Sequence, residues 1–444
     1  MEDSSHMDRL PKVSGLDKSS RRQFLWLLGA AGISTGASLD LAACGSSGGG
    51  GNATLVIGAP LALTGPIAAQ AVEMQNSMSL YLNQHGNKLG GIPVKVVYED
   101  TQGDPNQAVS KTRLMIQNDS ADFIFGGALA PESLAIRGVV ITSKMAYVSP
   151  ISSADDLTQR KRSPLIARTN MTSSQPNMPF GAYAFNTLGY HQIAIITQDY
   201  GYGWESAGGF QYGFEKTGGK IVSKVYVPLG TSDWAPYVHQ LPTNVDAIYA
   251  LPVGSGVAQF ARSYIDAGLK GKVPLIGGPD LADEDALQAA GKDLLGVVQV
   301  HDYNPNTPQT QPYAAAYKQA YSIVPSYWGE STYTGLMWID RTISAYRSHS
   351  GASASAAVSW IRNKPDAFIS QMRGVKLTDA PRGPLSLDQY NNAVLDLYII
   401  KIIDKNGVPY RETIDTIPHV SQFWTIPPAQ FLAQPVFSRT FPSS

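Results

Sequence analysis

Three short segments decide the fold: Thr54-Leu-Val-Ile-Gly58, Leu63-Thr64-Gly65-Pro66 and Ile92-Pro-Val-Lys-Val-Val-Tyr98. The first is a short apolar run bounded by small residues and reads as a buried strand. The second carries the Gly-Pro punctuation of a loop. A helical stretch follows over residues 69–85. The third segment, dominated by β-branched residues, reads as the next strand. Strand, loop, helix and strand in that order begin a parallel sheet, because a crossover between parallel strands needs a helix to bring the chain back.

Downstream the rhythm repeats. Asp104 is placed to cap a helix, Pro105 suits its first position, and Gln107 stands three after the cap. Ala108, Thr112, Met115 and Ile116 then share one helical face. Residues 121–126 read as a third strand, 131–144 as a helix and 146–150 as a fourth strand. The series restarts after Arg168. Strands are expected at 191–197, 221–227, 246–251, 274–277 and 297–301, and helices at 204–216 and 257–265, the second ended by Gly268. Beyond Asn304 the texture is mainly helical (313–322, 331–348), then strand-like at 375–377 and 393–403. The last 25 residues, rich in Pro and aromatics, read as a tail packed on a lobe. Two strand–helix series in one chain imply two α/β lobes and not one giant sheet.

Composition agrees. The chain has 444 residues, 43% of them hydrophobic and 16% charged, enough for large cores and too little charge for a disordered chain. Lys+Arg is 34 and Asp+Glu is 35, a balance that argues against a nucleic-acid partner. The one cysteine, Cys44, excludes an intramolecular disulfide and a cysteine metal cluster.

Its position gives that cysteine a meaning. Ser20-Arg21-Arg22-Gln23-Phe24-Leu25 opens an apolar run ending at Ile33. The run is about half the roughly twenty residues a spanning helix needs. A charged start, a short apolar centre and a small-residue end form an export signal. The arginine pair resembles a twin-arginine signal. Leu41-Ala42-Ala43-Cys44-Gly45 resembles the lipobox of bacterial lipoproteins, which implies removal of residues 1–43 and lipidation of Cys44. Residues 44–53 would then form the anchor and a flexible Gly/Ser tether.

Five segments carry a wider resemblance: Val56-Ile-Gly-Ala-Pro-Leu-Ala-Leu-Thr-Gly-Pro66, Tyr98-Glu-Asp-Thr-Gln-Gly-Asp-Pro105, Ile166-Ala-Arg-Thr169, Asp199-Tyr-Gly-Tyr-Gly203 and Ile276-Gly-Gly-Pro-Asp280. Together they resemble type I periplasmic solute-binding proteins of ABC importers, above all the branched-chain amino acid (leucine/isoleucine/valine) binding proteins. The resemblance implies two Rossmann-like lobes with parallel sheets, joined by a three-strand hinge. It places 54–168 plus 305–380 in lobe one and 169–304 plus 381–444 in lobe two. It also implies a ligand in the interlobe cleft, an ABC permease as partner, a lipid-anchored extracytoplasmic location and a monomer.

In open α/β sheets ligands bind beyond the C-terminal strand ends. That rule selects Thr64 and Gln70, the loop from Ala128 through Ala130 to Ser133, and Ile151, Ser152 and Ser153. In lobe two it selects Tyr200, Tyr202 and Trp204, the loop 252–255, and Pro279-Asp280. The resemblance implies that Ser153 holds a ligand carboxylate, Asp280 pairs with an ammonium and Tyr202 closes over it. Three departures leave the ligand open between an amino acid and an aromatic or aliphatic carboxylate. Gly127-Ala-Leu-Ala-Pro-Glu-Ser133 lacks the usual serines, so the donor is lost or displaced to Ser133. Pro252 stands where a tyrosine is usual, and Gln70 replaces an aromatic.

Each residue also has a plainer reading. Ser153 suits a turn cap, Tyr202 surface packing, and Asp283 the cap of a helix over 284–291. The acidic run Asp280-Leu-Ala-Asp-Glu-Asp285 reads as a solvated helix start, and Tyr327 and Trp328, which by the resemblance open a helix facing the cleft, read more plainly as core aromatics. No Gly-x-Ser-x-Gly elbow between a strand and a helix and no phosphate loop is present, and the seven histidines are scattered singly. The expectation is therefore a binding protein with no catalytic residues, cofactor or metal. A receptor module serving a signalling partner would use the same lobes.

Overall fold

A computed structural model describes residues 53–443. The export signal, the lipobox and Cys44 lie outside the described residues. The first sheet is built around β1 (Leu55–Leu61), buried at nearly every position. It is joined by β2 (Lys88–Leu89), β3 (Ile92–Asp100), β4 (Phe123–Phe125), β5 (Tyr147–Ser149) and β6 (Ile166–Arg168). The order is β2-β3-β1-β4-β5-β6, parallel throughout except for the short β2 edge. The order reverses beside β1, which opens a crevice at the C-terminal strand ends.

The second sheet repeats this plan. It contains β7 (Gln192–Gln198), β8 (Lys220–Val227), β9 (Ala247–Leu251), β10 (Leu275–Gly277) and β11 (Val298–His301). β12 (Ser386–Leu387), β13 (Ala393–Lys405) and β14 (Val408–Val420) complete it. β8, β7, β9, β10 and β11 run parallel, and β13 closes the edge antiparallel to β11 and β14.

Around the first sheet lie α1 (Ala68–Gln84), α2 (Pro105–Gln117) and α3 (Ala130–Thr142). Asp104 caps α2 as its sequence predicts, accepting from the amides of Asn106 and Gln107. The second sheet carries α4 (Ser174–Asn186), α5 (Gly201–Lys216), α6 (Ala235–Val238), α7 (Gly256–Asp266) and α8 (Glu284–Ala290). α9 (Gln311–Tyr321), α10 (Tyr327–Ser350), α11 (Ala354–Asn363) and α12 (Pro365–Gly374) return to the first sheet. The ring of Phe368 in α12 meets Phe123 of β4 at 5.7 Å. A Cβ at Gly335 of α10 would stand 2.9 Å from Phe125, so that glycine sets how closely α10 lies on the sheet.

Several elements differ from the sequence reading. α4 was not expected, because Pro176 and Pro179 interrupt its pattern. It survives by close packing on α5, where a Cβ at Gly181 would fall 2.2 Å from the Phe210 carbonyl. Residues 375–377 are not a strand; only an isolated bridge joins Leu377 to Leu385. β14 was also unforeseen, since Pro409, Pro418 and its charged side chains suit an exposed edge.

Three chain crossings link the lobes, and one buried guanidinium touches all of them. Arg382, on the third crossing, pairs with Asp302 on the second at 2.6 Å and with Glu330 of α10 at 2.9 Å. It donates also to the Asn170 side chain at 3.0 Å and the Thr169 carbonyl at 3.4 Å on the first.

The chain ends in α13 (Pro428–Ala433) and an aromatic segment packed against α4 and α5. Arg160, from the loop after β5, donates to the carbonyls of Phe431, Gln434 and Pro435. Phe437 covers α5 so tightly that a Cβ at Gly208 would sit 2.7 Å from it.

Candidate functional site

The C-terminal ends of the two sheets face one another across a cavity of about 640 Å³, its mouth included. The first-sheet side is largely apolar, formed by Ile67, Ala128, Leu129, Ala130 and Ile151, with Gln70 and Ser153 as polar points. The opposite side brings Asp280, Asp283 and Asp285, together with Tyr200, Tyr202, Val253 and Val257. Tyr327 and Trp328, at the start of α10, complete the wall.

Asp280 is the centre of this wall. The Tyr202 hydroxyl donates to its Oδ2 at 2.6 Å and the Tyr327 hydroxyl to its Oδ1 at 3.1 Å. Burial pushes its carboxyl up to about 7, against the lowering effect of these two bonds. Asp285 accepts from Gln70 Nε2 at 3.0 Å. Burial and the neighbouring Asp283 push Asp285 up to about 6.

Asp283 stands at the start of α8, but its side chain makes no cap. It pairs instead with Arg411 of β14 at 2.9 Å, and Arg411 also holds Glu284. The acidic run is therefore not a solvated helix start. Asp280, Asp283 and Glu284 are 7%, 4% and 7% exposed.

Tyr327 and Trp328 owe their place to Glu73 on α1. Its carboxylate accepts from the amides of Ser326 and Gly329 at 2.7 and 2.9 Å and from the Ser326 hydroxyl at 2.9 Å. A buried carboxylate on a helix N-terminus meets both its orphan amides and its dipole.

Gln70–Asp285 and Tyr327–Asp280 both join residues on opposite sides of the cleft. A third such bond runs from the Asp155 amide to Glu205 of α5 at 3.0 Å. A Cβ at Gly201 would lie 3.7 Å from that of Ala130 across the gap. The cleft is closed.

A profile of the family described as "Periplasmic binding protein" matches residues 54–407. The chain belongs to that family. This binding protein is 25% identical over 363 residues to Leu/Ile/Val-binding protein homolog 6 of Brucella melitensis, covering 80% of this chain and 89% of the relative. An ABC transporter substrate-binding protein from Sphaerobacter thermophilus superposes with a TM-score of 0.76 at 27% identity, over 83% of this chain and 99% of its own. A solute-binding protein of an ABC transporter from Rhodopseudomonas palustris, in complex with 3,4-dihydroxybenzoic acid, does so with a TM-score of 0.76 at 26% identity, over 83% and 98%.

Of the residues selected from sequence, Ser153, Tyr202, Asp280, Gln70 and Ala130 line the binding protein's cavity. Ser133, Ser152 and Trp204 do not. The Ser133 hydroxyl lies behind the wall, 2.8 Å from where a Gly127 Cβ would be. Ser152 is fully buried and gives its carbonyl to Arg168. Trp204 turns away and donates through Nε1 to Asp199 at 2.8 Å.

The loop before α3 differs from the expected anion clamp for a definite reason. Glu132 takes the amides of Ala128 and Leu129 on its own carboxylate, at 2.9 and 3.1 Å. The donors left for a ligand lie one strand over. Among the described residues the amides of Ile151 and Ser153, both of which line the cavity, meet no acceptor. Tyr327, Trp328, Asp283 and Asp285 are lining residues the sequence reading gave a plainer role. The signal for Tyr327 was present, since Ser326 marks the start of α10 and a helix start at a cleft is a ligand-facing position. Among the described residues no helix is long and apolar enough to cross a membrane, and no cluster of His, Cys, Asp and Glu suits a metal ion.

Proposed function

We propose that the chain is the solute-binding component of an ABC importer, held at a membrane through lipidated Cys44, and that it captures a small ammonium-bearing solute, an amino acid foremost. One observation carries the reading. The cavity is lined by Asp280, Asp283 and Asp285, and among the described residues no Lys or Arg lines it. Such a wall suits a solute that brings positive charge, because a buried carboxylate gains most from a positive partner. In the mechanism the open form exposes the cleft, and the solute sets its ammonium against Asp280 and its carboxylate against Ser153 and the amides of Ile151 and Ser153. Contacts to both lobes then favour closure, and the closed form docks on the permease.

The second reading is an aromatic carboxylate. It is favoured by the four aromatic rings in the wall and by the Rhodopseudomonas palustris relative in complex with 3,4-dihydroxybenzoic acid. A thermal-shift screen with amino acids, amides and aromatic acids separates the two, since a ligand well above its Kd raises Tm. A rise with amino acids supports the ammonium reading. A rise confined to aromatic acids overturns it.

A further inference from the structure

We infer that the cleft is built for a methylated ammonium group, as in betaine- or choline-type solutes, in preference to a primary ammonium. The inference rests on the reading of this cavity as the solute site and narrows its ligand. A primary ammonium has three N–H donors, and in a closed cleft each needs an acceptor. Part of what the wall offers is already taken. Both oxygens of Asp280 already accept tyrosine hydroxyls, Asp285 accepts from Gln70, and Asp283 is paired with Arg411. Each of these bonds takes one of a carboxylate's roughly four acceptor sites and fixes its orientation, so the wall is better furnished with aromatic faces than with freely placed acceptors.

A trimethylammonium asks for a negative field without hydrogen bonds, and it asks for aromatic faces. The wall has both. Tyr200 and Tyr202 come from the second-sheet side with ring centroids 6.1 Å apart, tilted by 53°. Tyr327 and Trp328 start α10, 5.5 Å apart and tilted by 48°. Neither pair is stacked, so neither hides its faces within the pair. The hydroxyls of Tyr202 and Tyr327 are fixed on one carboxylate, which holds both rings and enriches their electron density. Apolar neighbours such as Ile67 and Leu129 suit N-methyl groups.

The test is calorimetric titration of the full chain with choline, glycine betaine, ethanolamine, glycine, leucine and 3,3-dimethylbutan-1-ol, the uncharged isostere of choline. A methylated cation is expected to bind at least about tenfold tighter than its unmethylated counterpart, and choline about tenfold tighter than the isostere. Trp328→Leu and Tyr200→Leu should each weaken that binding about fivefold, with melting curves recorded to show that both variants are folded. Tighter binding of glycine betaine than of choline would place the carboxylate on the Ser153 side; equal binding would make the cation sufficient. No binding of either methylated probe, or tighter binding of the unmethylated one, overturns the inference. If leucine then binds and depends on Asp280, the solute-site reading survives alone. If no probe binds, both fall.

Discussion

Tyr327 donates its hydroxyl to Asp280 over 3.1 Å, from a helix laid on the first sheet to a loop at the end of the second. The bond exists only while the cleft is closed, so it is part of what the closed state gains over the open one. Tyr327→Phe keeps the ring and removes the bond. A net hydrogen bond of about 1 kcal/mol makes the expected loss in solute affinity about fivefold. Small-angle scattering of the ligand-free variant should show a larger radius of gyration than the parent; identical values would mean that the bond does not bias closure.

Asp280→Asn removes the charge while preserving the shape. Leaving a buried ammonium without its counter-charge costs about 3 kcal/mol, more than a hundredfold in Kd. Calorimetry on the variant reads this directly. Unchanged affinity would take Asp280 out of the site.

Solute affinity should rise with pH. Asp280 is held up to about 7 and Asp285 to about 6, both chiefly by burial. In acid both are protonated and offer a cation no charge, so binding of an ammonium solute strengthens as pH climbs from about 5.5 to 8.5. A carboxylate ligand would show the opposite slope. Stability of the ligand-free chain follows from the same shifts. An acid whose folded pKa is raised stabilises the fold while it stays protonated, and that contribution fades as pH rises through about 6 to 7. Tm without ligand should therefore fall from pH 5 to 8, and a bound cation should restore it.

Arg382→Met strands Asp302 and Glu330 as buried charges without a partner. Such a loss costs about 3–5 kcal/mol, read as a lower midpoint in urea unfolding. Arg382→Lys should recover little, because a single ammonium cannot reach partners on three chain crossings at once. Full recovery by lysine would show that charge alone, without the fork, holds the hinge.

Cys44→Ser should move the protein from the membrane fraction to the soluble extracytoplasmic fraction, and Arg21→Lys with Arg22→Lys should hold it inside the cell. Retention of the Cys44→Ser protein in membranes would exclude the lipid anchor.

The fold was legible wherever local pattern and tertiary environment agree. β1, α1 and β3 follow their hydrophobic periods, and Asp104 caps α2 where its side chain predicts. The pattern misled where tertiary contacts override propensity. α4 keeps two prolines because its backbone lies against α5, and β14 is an edge strand whose charged residues resemble loop. The Asn406-Gly407 turn that precedes β14 was its local signal. Asp280, Tyr202 and Ser153 were reachable because strand ends can be located from sequence. Asp285 was not, since its role depends on a partner 215 residues away, and the bond that ties Tyr327 to Asp280 spans 47 residues. Arg411 is 128 residues from Asp283, and no spacing rule connects such a pair.

Phe437 has a consequence for anyone transplanting this cavity. Tyr202 stands at the first turn of α5, and the back of the same helix, at Gly208, is moulded to a ring from the last few residues of the chain. The family match stops at residue 407. A chimera cut there would keep every lining side chain yet bare the helix that aims one of them, so a faithful graft has to include residues 421–443.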